Sequence, residues 1–166
     1  ATALGSGPVA EKAYSEMGAL VNTLVSVVIP TKNRRDLLLE TLASIRAQTY
    51  DDWEAIVVDD GSNDGTAECV RALTKVDARI RFLPRASTLP GANVCRNEGL
   101  ALSTGSYVIF LDSDDLLGPK CMEDRVRTMA EHLDLDFAVF LGEYFLAQPG
   151  DLGLLHNMPT ERDDID

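Results

Sequence analysis

Short apolar runs alternate with amphipathic stretches along this chain. Residues 24–30, LVSVVIP, are apolar and β-branched and stop at a proline, as in a strand buried on both faces. Leu37, Leu38, Leu42 and Ile45, with Leu39 at the margin, then recur at helical spacing. Asn33 stands at the expected N-cap of that helix, and Asp36 three residues on complements its first turn. Residues 53–59, WEAIVVD, predict a second buried strand. The turn formers DGSNDGT lead from it into a helix over about 66–73. A short third strand is expected at 80–83. Next comes a helix over 90–103, with Ala92, Cys95, Gly99 and Leu102 on one face and Gly105 as its C-terminal stop. A fourth strand follows at 107–111, an amphipathic helix at 119–133 and a fifth strand at 137–141. A short helix over 10–20 is also expected. Beyond residue 141 the pattern fades into a segment rich in Gly and Pro with an acidic end.

Strict alternation of strand and helix implies parallel strands joined by right-handed crossovers, with helices on both faces. In such sheets ligands bind outside the carboxyl ends of the strands. Those ends carry Thr31 after the first strand, Asp59 and Asp60 after the second, and Asp112, Asp114 and Asp115 after the fourth. Three separate segments thus deliver polar groups to one edge of the sheet.

The size of the chain, 166 residues, allows one domain with a sizeable core. Composition changes the picture mainly through charge. With 27 acidic and 15 basic residues, the formal net charge is -12. This argues against nucleic acid as a partner and against a polybasic membrane contact, and it obliges any anionic substrate to find a local cation. No apolar stretch reaches the roughly 20 residues of a membrane span, and the first residues lack the charged start and apolar centre of a signal peptide. Cys69, Cys95 and Cys121 are widely spaced and form no Cys/His cluster. They read as core-filling thiols of a reducing, cytoplasmic compartment rather than as zinc ligands.

Several site readings compete. In DDGSNDGTAECVR the residues Asp60, Ser62, Asp64 and Gly65 imitate an EF-hand loop, but Arg71 stands where the bidentate Glu is needed and a strand precedes the loop. No G-x-G-x-x-G follows any strand. Asp59 reads equally as a turn residue or a ligand; Asp60 is the stronger candidate to accept hydrogen bonds from a base or ribose. Three carboxylates at Asp112, Asp114 and Asp115 would repel unless something positive sits among them. A D-x-D at a strand end suits a hard divalent cation, Mg²⁺ or Mn²⁺, shared with a diphosphate. His132 and His156 support no nucleophilic triad.

SVVIPTKN, IVVDDGSNDGT and GANVCRNEGLALSTGSYVIFLDSDDLL, in this order, resemble the nucleotide-binding half of the family 2 glycosyltransferases of GT-A fold. The resemblance covers residues 24–141. It implies a three-layer α/β/α, Rossmann-like, mostly parallel sheet of GT-A type, incomplete at its C-terminus, and metal-dependent, inverting transfer of a sugar from a nucleotide-sugar donor to a carbohydrate, lipid or protein acceptor. On the same basis Thr31 contacts the nucleoside, Asp60 binds the base, Asp112 approaches the ribose or metal, and Asp114 ligates the metal. Arg96 is a phosphate-side candidate, and Asn97 packs or tethers its helix. Lys32 stands where the family often has an aromatic. Residues 1–23 read as an extension, 24–141 as the nucleotide-sugar-binding domain, and 142–166 as an irregular start of an acceptor half. No residue is assigned as the catalytic base. On this reading the chain binds donor without turnover, and uncovered apolar surface favours a homo-oligomer. The alternatives are a non-catalytic nucleotide-binding module and, from FLDSDDLL alone, a haloacid-dehalogenase-type phosphohydrolase.

Overall fold

Buried β-branched runs make the centre of the molecule. In the computed structural model, which describes residues 23–140, 142–144 and 154–156, β1 (Val25–Thr31) and β2 (Trp53–Asp59) are buried at every position. They pair in parallel from Val25 opposite Trp53 to Thr31 opposite Asp59. β3 (Ile80–Pro84) extends the sheet beyond β2, and β4 (Tyr107–Phe110) lies on the far side of β1. The sheet order is therefore β3-β2-β1-β4. The chain steps outward from β1 twice and then returns across it. The junction of β1 and β4 is the point where strand order reverses, and there the crevice at the carboxyl ends opens.

Strand pleating sorts the core into two layers. Val25, Val27, Ile29, Trp53, Ala55 and Val57 face one side. They are covered there by Leu38, Leu42 and Ile45 of α1 (Arg35–Arg46), Val70 of α2 (Thr66–Thr74), and Met122 and Val126 of α4 (Cys121–Glu131). Ile56 and Val58 face the other side and meet Cys95 of α3 (Ala92–Leu102). Gly99 is what lets α3 sit so close. A Cβ there would lie 2.3 Å from Val28 Cγ1. On the predicted stripe of α3, Cys95 and Gly99 are buried, whereas Ala92 and Leu102 are exposed.

Gly105 serves a different purpose from the one expected. α3 ends at Ser103, whose amide donates to Leu100 O at 3.2 Å. A Cβ on Gly105 would instead meet Leu24 O at 2.5 Å and Ser26 N at 2.8 Å, so glycine permits the chain to cross β1 at close range.

The predicted strand over 137–141 is not formed at residues 137–140, which have no regular structure, and Leu141 lies outside the described residues. Among the described residues of the unit beginning at Glu131, an antiparallel pair forms, β5 (Gly142–Tyr144) with β6 (Leu154–His156). The helix expected over 10–20 also lies outside the described residues.

Candidate functional site

The loops that follow β1 and β2 are stitched to each other. Asp60 N donates to Thr31 O at 2.8 Å. Asn33 N donates to Ser62 Oγ at 2.9 Å, and Asn63 N donates to Asn33 Oδ1 at 2.8 Å. Asn33 adopts φ 52, a left-handed conformation that Asn tolerates. It does not cap α1 as the sequence suggested. Asp64 does so from the neighbouring loop, accepting from Arg35 N at 3.0 Å, and it also accepts from Thr66 N at 3.1 Å at the start of α2. Asp59 is a turn residue: its carboxylate accepts from Ser62 N at 3.1 Å and from the Ser62 hydroxyl. The DGSNDGT segment is therefore a frame for the strand ends rather than a calcium loop.

The segment after β4 is anchored equally well. Ser113 is buried. Gln48, buried beyond α1, donates to Leu117 O at 3.3 Å and Gly118 O at 2.7 Å and accepts from Met122 N at 3.0 Å. Ser44 Oγ accepts from Leu117 N at 3.1 Å. These contacts hold the acidic turn between β4 and α4.

Between the two frames lies a cavity of about 300 Å³. Thr31, Asp60, Arg96 and Asp112, four residues singled out from the sequence, line it together, and Lys32 and Arg34 add to its wall. Asp114 is not part of that wall but reaches it through Arg34, whose Nη1 lies 2.6 Å from Asp114 Oδ1. Arg96 Nη2 lies 2.5 Å from Asp112 Oδ1. The crowded carboxylates are thus offset by two guanidinium groups. Asn97 lies on an exposed position of α3.

Thr31 is 3% exposed, yet its hydroxyl has no hydrogen-bond partner among the described residues. Asp60 is the most heavily engaged carboxylate of the site. Its Oδ1 accepts from Arg85 Nε at 2.5 Å; its Oδ2 accepts from Gly91 N at 3.2 Å and Lys32 Nζ at 3.4 Å. Burial works to raise its pKa, but the Gly91 amide, Arg85 and Lys32 outweigh it and hold the group below the ordinary aspartate value. Arg85, just after β3, and Arg34, just before α1, were not singled out in the sequence, because an isolated arginine beside an element end matches no site motif. Cys95 also borders the cavity, and burial raises its thiol pKa, so it stays protonated.

Among the described residues, no group of three or more His, Cys, Asp or Glu converges to hold a metal on its own. Asp112 and Asp114 remain accessible, with side chains 52% and 40% exposed. Two carboxylates suit Mg²⁺ or Mn²⁺ when phosphate oxygens and waters complete the shell.

The sequence model described as "Glycosyl transferase family 2" matches residues 26–149. The chain belongs to glycosyl transferase family 2. It is 40% identical over 129 residues to the putative teichuronic acid biosynthesis glycosyltransferase TuaG of Bacillus subtilis, covering 76% of this chain and 49% of that protein. Over 128 residues it is 34% identical to the Campylobacter jejuni GalNAc(5)-diNAcBac-PP-undecaprenol beta-1,3-glucosyltransferase, covering 77% of this chain and 40% of that protein. Among solved structures, S. aureus TarS 1-349 in complex with UDP-GlcNAc is similar at a TM-score of 0.58 and 30% identity, covering 66% of this chain and 32% of that one. The chain spans about half the length of TuaG and less of the C. jejuni relative. Family membership and the GT-A-type sheet remove the phosphohydrolase alternative, which places its Asp after a first strand. Among the described residues no helix is long and apolar enough to cross a membrane.

Proposed function

We propose that residues 24–141 form the nucleotide-sugar-binding domain of an inverting glycosyltransferase that transfers a sugar from a nucleoside-diphosphate sugar to an acceptor hydroxyl. The observation that carries this reading is the Thr31 hydroxyl, buried and without a partner among the described residues, on the wall of a cavity shared with Asp60. A buried hydroxyl left unpaired costs about 1–3 kcal/mol, which a ligand's polar group would recover. Charge supports an anionic ligand. Lys32, Arg34 and Arg96 line the cavity against Asp60 and Asp112, so this wall is locally positive on a chain of net charge -12. The TarS complex supports a uridine nucleotide as the first donor to test.

In this reading Thr31 and Asp60 hold the nucleoside, and Arg96 and Arg34 face the diphosphate. Asp112 and Asp114 would hold a divalent cation together with the diphosphate oxygens; when bound, such an ion neutralises charge on the departing diphosphate. The guanidinium groups contribute to the same end, because fixed donors aimed at developing negative charge stabilise a leaving group.

Calorimetry with UDP, with and without Mn²⁺, tests the proposal. Thr31→Val should weaken UDP binding about tenfold while leaving the fold intact, because only an unpaired hydroxyl is lost. Asp114→Asn should weaken the Mn²⁺-dependent part of binding. Equal UDP affinity in parent and Thr31→Val would remove the nucleoside from this cavity, and equal affinity with Mn²⁺ and with EDTA would remove the metal.

A further inference from the structure

Arg85 lies outside the cavity wall, and nothing in the family motif marks it. It is nevertheless the residue on which the cavity's most buried carboxylate depends. It follows β3 directly, and its amide donates to Asp59 O at 2.9 Å, which fixes its backbone against the end of β2. Its side chain is 18% exposed. Nε donates to Asp60 Oδ1 at 2.5 Å, while Nη1 donates to Leu89 O at 3.0 Å and to Ser87 O. One guanidinium therefore joins the carboxylate at the end of β2 to the loop that leads into α3.

The loop is closed from both ends. Gly91 N donates to Asp60 Oδ2 at 3.2 Å, and Gly91 reaches that position at φ 124, a conformation L side chains avoid. On the other side Glu98 of α3 accepts from Ala86 N at 2.8 Å and Ser87 N at 2.7 Å. Residues 85–91 are thus wrapped around two carboxylates, with Arg85 as the only side chain that touches both Asp60 and the loop backbone among the hydrogen bonds described.

We infer that Arg85 is a positioning residue for nucleoside recognition. It fixes the orientation of Asp60 and restricts what that carboxylate can accept. An ionised carboxylate offers about four acceptor positions. Arg85, Lys32 and Gly91 occupy three of them. One position remains for the ligand, so Asp60 presents a single, fixed acceptor instead of a freely rotating pair. A base with one ring N–H directed at the site satisfies it; an edge needing both carboxylate oxygens does not. This inference rests on Asp60 as the nucleoside-binding carboxylate.

The test compares uridine, UDP and inorganic pyrophosphate by calorimetry on the parent, Arg85→Met, Arg85→Lys and Asp60→Asn, with thermal melting of each variant. Arg85→Met keeps the length and apolar body of the side chain but removes its donors. The expected result is that uridine and UDP affinities fall together, about tenfold, while pyrophosphate affinity stays within twofold of the parent; a general loosening of the fold would weaken all three. Arg85→Lys restores a charge to Asp60 without the fork that reaches the loop carbonyls, and it should recover part of the uridine affinity. If Arg85→Met fails to fold, Arg85→Lys alone decides, with a selective loss of uridine over pyrophosphate expected. Unchanged uridine affinity in folded Arg85 variants, alongside loss in Asp60→Asn, would overturn the role of Arg85 and leave the site standing. Unchanged uridine affinity in Asp60→Asn would overturn the site reading and this inference with it.

Discussion

Glu54 is buried near the start of the largely apolar β2, on the face covered by the end of α3, and its replacement by Gln should cost the protein about 3 kcal/mol near neutral pH. Its Oε1 accepts from Ser26 Oγ at 2.7 Å, Thr104 N at 2.7 Å and Thr104 Oγ1 at 2.8 Å; Oε2 accepts from Arg81 Nη1 at 3.0 Å. Burial pushes the pKa of this carboxyl up, but those four donors outweigh it and lower it from the ordinary 4.5 to about 2. At about 1.36 kcal/mol per pH unit, that difference is about 3 kcal/mol of stability. The sign is that of a depressed acid. The contribution is complete above pH 4.5 and is lost as pH falls through about 2. Glutamine cannot reproduce the pattern, because its NH₂ must face either Arg81 or the three donors at Oε1, leaving about 1–3 kcal/mol of unsatisfied groups. Urea unfolding of parent and Glu54→Gln at pH 7, 5, 4 and 3 measures the effect. The gap between them should be about 3 kcal/mol at pH 7 and should narrow steadily below pH 4.5. A gap that does not change with pH, or a Gln variant as stable as the parent at pH 7, would refute the assignment of the stabilisation to an ionised Glu54.

Two further substitutions probe the frame of the site. Gly99→Ala should lower stability by about 1–3 kcal/mol, because the added methyl meets Val28 Cγ1 at 2.3 Å; urea unfolding checks it, and a neutral result would mean that α3 can lift from β1 freely. Asp64→Ala should cost about 1–2 kcal/mol, since one carboxylate caps both α1 and α2 through Arg35 N and Thr66 N; chemical denaturation of the variant against the parent measures it.

The sheet was legible because its strands are continuous apolar runs between polar turns, and a run such as VSVVIP fits little else. Residues 137–141, FAVFL, carry the same local signal, yet residues 137–140 form no strand, and Phe137 and Val139 are exposed. A short apolar run states a preference for burial; it does not supply the neighbouring strand that would accept its hydrogen bonds. The cap of α1 failed for a related reason. Asn33 is the right residue type at the right distance along the chain, but Asp64, 29 residues beyond Arg35, is what reaches the Arg35 amide. The buried Glu54 was overlooked in an apolar strand, because the partners that explain it, Ser26, Arg81 and Thr104, lie far from it along the chain.

The acidic residues of the site were readable as types at strand ends; of their basic partners, Arg96 was read through the family resemblance, whereas Arg34 and Arg85 were not. Asp60, Asp112 and Asp114 each carry a guanidinium neighbour, from Arg85, Arg96 and Arg34 respectively. These arginines come from a loop, a helix and a helix entrance, and no periodicity links them. Their placement resolves the charge problem posed by the sequence. An acidic chain could receive an anionic ligand through a bound cation alone, but then its carboxylates would repel each other whenever the cation is away. Pairing each carboxylate with a side-chain cation removes that repulsion. The pairs differ in what they can release. The Arg85–Asp60 contact is buried and tied to the backbone, so it stays. The Arg34–Asp114 pair has side chains 46% and 40% exposed, and an exposed ion pair is worth only about 0–1 kcal/mol. It can therefore separate at little cost, and in the proposed function that one exchange would free the guanidinium for a phosphate and the carboxylate for a cation.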